Sequence, residues 1–114
     1  MLAAVLCVAV NHDYEKSFMP DYSFILPADF LDYEFEVQAK GWFSEATLSI
    51  SGKIYRLNFY DVVRLNQDIE DELAGVGVFF EPNVIIVSTV TKVSMERAVE
   101  LLIDSGRLVS LVPE

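Results

Sequence analysis

The sequence predicts an α+β domain: an antiparallel or mixed β-sheet, built from a three-stranded meander plus a hairpin and terminal strands, with two helices packed on one face. Three observations predict it. Residues 32–60 alternate apolar and polar side chains and contain a tight-turn dipeptide, Ser51-Gly52. Two later segments, 61–74 and 94–105, repeat apolar residues at helical spacing, and a glycine follows each. Short β-branched runs, "VGVFF", "NVIIVSTV" and "RLVSLV", surround those helices.

The chain has 114 residues, enough for one domain and too few for two. The apolar run "MLAAVLCVAV" reads as a buried strand over 2–10, because it lacks a positive leader and is too short to span a bilayer. Residues 11–31 read as irregular, since Pro20 and Pro27 exclude a continuous central strand, and "YSFIL" is left as a short edge strand.

The meander comes next. "DYEFEVQAK" places Tyr33, Phe35, Val37 and Ala39 on one face and Asp32, Glu34, Glu36 and Gln38 on the other, which predicts a half-buried strand. Ser51-Gly52 predicts a two-residue hairpin with Ile50 opposite Lys53 and Leu48 opposite Tyr55. That register puts Ala46, Leu48, Ile50, Tyr55, Leu57 and Phe59 on one face, as the hydrophobic pattern does independently.

Asp61 suits the N-cap of the first helix, and Val62, Leu65, Ile69 and Leu73 form its expected buried stripe. Glu81-Pro82-Asn83 reads as the tight turn of a second hairpin, and 84–87, apolar on both faces, as a central strand. Ser94 is the expected cap of the second helix, with Met95, Ala98, Val99 and Leu102 as its core stripe. "RLVSLV" reads as a final strand.

Charge bounds the function. Eighteen acidic against eight basic residues give a net charge of −10. Phosphate backbones and anionic membrane surfaces repel such a chain, so neither nucleic acid nor membrane is an expected partner. A basic protein is attracted. Mean hydropathy is +0.34, which places this acidic chain among folded proteins rather than disordered ones. One cysteine, Cys7, allows no intrachain disulfide and fits a reducing, cytoplasmic setting.

No motif marks an enzyme. The single histidine, His12, has no ligand spacing beside it, and no Gly-rich phosphate loop is present. No catalytic residue, metal ligand or cofactor is therefore assigned.

The expected function is a small non-catalytic module that meets a basic protein partner, of immunity or inhibitor type. Its expected surface joins Arg64, Asp68, Asp71 and Glu72 on the first helix to the aromatic anchors Trp42, Phe43 and Tyr60. The acids crowd the C-terminal half of the helix, where the dipole disfavours anions, so they break a local rule without internal gain. A self-associating domain, such as a homodimer, is the alternative. A metal-dependent enzyme using Asp68, Asp71 or Glu72 with His12 is the third reading.

Overall fold

The computed structural model describes residues 21–114. The expected strand at 2–10, residues 11–20 of the irregular segment, Cys7 and His12 lie outside them. The described elements are β1 (Tyr22–Ile25), α1 (Phe30–Lys40), β2 (Trp42–Ile50), β3 (Lys53–Tyr60), α2 (Val62–Gly75), β4 (Val84–Ile86), α3 (Lys92–Asp104) and a short 3₁₀ turn, Arg107–Ser110. The class is α+β, as the sequence predicts. The sheet is mixed and four-stranded, in the order β1-β2-β3-β4.

The β2–β3 hairpin follows the expected register: Ile50 pairs with Lys53 and Leu48 with Tyr55. Ser51 and Gly52 both take positive φ, at 53° and 77°. That backbone twist matches the right-handed twist of the strands it joins. The inward residues Ala46, Leu48, Ile50, Tyr55, Leu57 and Phe59 are all buried.

The stretch 32–39 is a correction. It is helical, not a strand, and β1 takes the place beside β2. "FLDYEFEVQAK" satisfies both periods. Read at 3.6 residues per turn, Phe30, Tyr33 and Val37 share one face, and Phe30 and Val37 are buried there. Phe35, inward in the strand reading, is 82% exposed. Tyr33 departs from helical angles (φ −128°, ψ 18°), so the helix is kinked near its start. The Glu34 carboxylate accepts the Lys92 N–H at 2.7 Å and so complements the N-terminus of α3.

The second hairpin is also corrected. Residues 76–80 form no strand, and β4 pairs parallel with β3, Phe59 opposite Ile85. A helix lies between the two strands in sequence, and such a crossover returns the chain in the same direction. Among the described residues β4 lies at an edge of the sheet, where the sequence predicts a central strand, and Ile86 is exposed. "RLVS" coils into the 3₁₀ turn instead of a last strand. Thr91, not Ser94, caps α3, its hydroxyl accepting the Ser94 N–H at 3.2 Å.

The core is the inward face of the sheet covered by α1 and α3. Met95, Val99 and Ile103 of α3 join Phe30 and Val37 of α1 over Leu48, Leu57 and Phe59. An edge-to-face ring pair, Phe30–Phe43 at 5.0 Å, ties α1 to the sheet, and a second, Phe24–Phe59 at 6.0 Å, joins β1 to β3 within it. The first predicted helix is not one of the two on this face. α2 contains no buried residue, and Val62 and Leu73 of its stripe are exposed. Among the described residues no helix is long and apolar enough to cross a membrane.

Candidate functional site

A bulge in β2 decides where its aromatic pair points. Phe43 pairs with Phe59 and Ala46 with Leu57, so the bulged strand spends three residues where its partner spends two. The extra residue keeps Phe43 facing the core, 6% exposed. It also turns Trp42 to the outer face, opposite Tyr60. Without the bulge, simple alternation from Ala46 would send Trp42 inward and Phe43 outward.

Asp61 lies between β3 and α2 and caps the helix. Its backbone N–H donates to Gly41 O at 2.9 Å, and its carboxylate accepts the Arg64 N–H at 2.8 Å. This cap sets the phase of α2. Arg64, Leu65, Asp68 and Ile69 are the half-buried positions, so this side of the helix faces the rest of the chain. Arg64 lies 5.2 Å from the centroid of the Trp42 ring, pairs with Asp68 Oδ1 through Nε at 3.0 Å, and donates from Nη1 to Lys40 O at 3.3 Å.

Behind these groups lies an open cleft of about 430 Å³, lined by Trp42, Tyr60, Asp68, Asp71, Glu72, Phe79, Phe80 and Glu81. The residues 76–83 run from the end of α2 back to β4 and supply one wall. Tyr60, 3% exposed, donates its hydroxyl to Glu81 Oε1 at 2.7 Å. Burial, then that hydrogen bond and the charges of Glu81 and Asp68, hold the Tyr60 phenol well above its usual range, and Arg64 opposes them. The Trp42 Nε1–H is buried and has no hydrogen-bond partner among the described residues.

Six of the seven residues singled out in the sequence therefore meet here: Trp42, Tyr60, Asp68, Asp71 and Glu72 line the cleft, and Arg64 bridges Trp42 and Asp68. Phe43 does not; it packs on Phe30 inside. Phe79, Phe80 and Glu81 complete the site and were not among the expected residues, because 76–80 read as a strand and Glu81 as part of a turn. The signal for them was the strand–helix–strand order itself, which forces a return loop past the end of α2.

The carboxylates are spread along the cleft rather than focused. Among the described residues no group of three or more His, Cys, Asp or Glu stands close enough to hold a metal ion. What the arrangement can do is surround a cationic group with acidic side chains and flat aromatic faces.

No protein-family model matches the chain, no curated protein matches its sequence, and no solved structure matches it.

Proposed function

We propose that this chain is a small non-catalytic binding module that receives a basic segment of a protein partner in the cleft beside α2, in the manner of an inhibitor or immunity protein. The observation that carries the reading is the convergence of Asp68, Asp71, Glu72 and Glu81 with Trp42, Tyr60, Phe79 and Phe80 on one cleft. Carboxylates attract a Lys or Arg side chain over distance, and ring faces hold it at contact. The Trp42 Nε1–H, without a partner among the described residues, adds a donor that a partner's carbonyl would satisfy. The net charge of −10 steers the same class of partner toward the whole surface.

Tryptophan occurs once in the chain, so its fluorescence reports the cleft directly. A capped arginine-rich peptide should change Trp42 emission on binding, and an acidic peptide of equal length should not. Association measured by stopped flow should slow clearly as NaCl rises. Asp71→Asn with Glu72→Gln should lower both the on-rate and its salt dependence. A salt-independent on-rate, or no emission change, would remove the proposal.

Self-association is the second reading. It is favoured by β1 and β4 lying at the edges of the sheet among the described residues and by the exposed apolar residues of α2. A strict monomer in sedimentation over a wide concentration range counts against it.

A further inference from the structure

The stripe on α2 is long, regular and half uncovered. Val62, Leu65, Ile69, Leu73 and Val76 recur at intervals of 3, 4, 4 and 3 residues, the spacing of a helix–helix seam. Leu65 and Ile69 turn toward the chain's own body. Val62, Leu73 and Val76 do not; they are 57%, 51% and 72% exposed. From Val62 to Val76 the seam runs about 21 Å along the helix axis, enough to meet about four turns of another helix.

The charges beside the seam say what covers it. Arg64, the one cation of α2, is already engaged by Asp68. Glu70 and Glu72 make no ion pair among the described residues, and at helical spacing they lie on either side of Leu73, at the end where Leu73 and Val76 are exposed. The negative end of the α2 dipole points the same way. A second copy would bring the same acids and another net −10 to the contact. Nucleic acid and anionic lipid carry the same sign. Cations placed beside an apolar ridge satisfy both features at once.

We propose that the outward seam of α2 docks an amphipathic helix of the protein partner, its apolar ridge laid on Val62, Leu73 and Val76 and its flanking Lys or Arg side chains set against Glu70 and Glu72. The proposal rests on the reading of the chain as a module for a basic partner and adds the form of that partner. A helix fits because ridges at three- and four-residue spacing seat between those of another helix, whereas an extended strand matches neither interval.

The test uses the full chain and two Leu/Lys peptides of identical composition and about 18 residues, a length set by the seam. One carries Leu at helical spacing; in the other the order is scrambled. Isotope-labelled protein is titrated with each, and affinity is read by calorimetry. The patterned peptide should bind about tenfold more tightly than the scrambled one, which corresponds to about 1.4 kcal/mol. It should shift the methyl resonances of Val62, Leu73 and Val76. Leu73→Ser with Val76→Ser alters exposed positions only; it should abolish the tenfold advantage and leave the scrambled peptide's affinity unchanged. Equal affinities, with shifts confined to the cleft, would overturn the helix-docking proposal and leave the basic-partner reading standing. Failure of both peptides to bind would overturn both. A dimer that the double serine variant dissociates would overturn the proposal in favour of a second copy on the seam.

Discussion

The guanidinium of Arg64 stands over the Trp42 ring, 5.2 Å from its centroid, while its Nε holds Asp68 at 3.0 Å. Two lining residues of the cleft are therefore already engaged by a cation of the chain itself, one through its aromatic face and one through its carboxylate. An incoming Lys or Arg must share both with it.

Arg64→Gln should separate the two consequences of that arrangement. The fold loses a partly exposed cation–π contact and an i,i+4 ion pair, together about 1 kcal/mol. The basic peptide should bind more tightly, because a competing positive charge is gone and Asp68 is released. Urea denaturation gives the first quantity and Trp42 fluorescence titration the second. Weaker peptide binding would mean that Arg64 orders the cleft rather than competes for it.

The junction of α1, β2 and α2 should be fragile at Gly41. Its φ of +74° is left-handed, and a Cβ there would run into the Asp61 carboxylate that caps α2. Gly41→Ala combines left-handed strain with a displaced cap and should cost about 2–3 kcal/mol. Gly52→Ala, at φ +77° with open space around it, meets the strain alone and should cost less. Asp61→Ala should cost about 1 kcal/mol and should reduce the further penalty of Gly41→Ala, since the clash partner is gone. Denaturation of the single and double variants completes the cycle.

The β2–β3 hairpin was legible because two independent signals agreed, the Ser51-Gly52 turn and the alternation on either side of it. Asp61 as the cap of α2 was legible because capping is local chemistry. Residues 32–39 were not, since "DYEFEVQAK" fits a strand taken alone and only the position of Phe30 one turn earlier reveals the helical face. The stripe of α2 was seen, but its burial was inferred from apolarity; nothing local says that the core lies under α1 and α3 instead. For the cleft, the helix acids and Tyr60 follow from the pattern. Trp42 and Phe43 are both expected as anchors from the sequence, and the bulge that sends them to opposite faces has no signature in "KGWFSE". Phe79, Phe80 and Glu81 depend on parallel pairing of β4, a long-range property.

Alkaline pH should act on the same site. The folded chain holds the Tyr60 proton more tightly than the unfolded chain, chiefly through burial and the bond to Glu81. Both states are protonated below about pH 10, so stability is undiminished there; it falls as pH rises beyond that value and the unfolded chain releases the proton first. Tyr33 is also raised, by desolvation first and then by Asp29 and Glu45, and adds the same sign. Tyr60→Phe removes one contribution and keeps the other. Its stability should therefore decline less steeply than that of the parent protein between about pH 9.5 and 11.5 in chemical denaturation. Parallel declines would mean that Glu81 does not hold the phenol in solution.

Asn83 should govern both the C-terminal segment and the wall of the cleft. It takes a left-handed φ of 55°, which Asn tolerates better than most residues. Its Nδ2 donates to Arg56 O and Val112 O, each at 2.9 Å, and its Oδ1 accepts the Val112 N–H at 2.7 Å. Next to it, Asn58 binds Pro82 O at 2.9 Å, so residues 82–83 are pinned to β3 just after Phe79, Phe80 and Glu81. Asn83→Gly keeps the backbone angle and loses three exposed hydrogen bonds, which should cost about 1–2 kcal/mol. Asn83→Ala adds left-handed strain and should cost about 1–2 kcal/mol more. In both variants the Val112 amide should lose protection from hydrogen exchange. The Asn58 amide, bonded to the backbone oxygen of residue 83, should keep it. Peptide affinity at the cleft should fall with the same rank order, because the return loop is loosened at its anchor. A protected Val112 amide in Asn83→Gly would instead assign the tail to the Arg56–Glu114 pair and the Glu114 N–H to Ile54 O bond, which hold its last residue against β3.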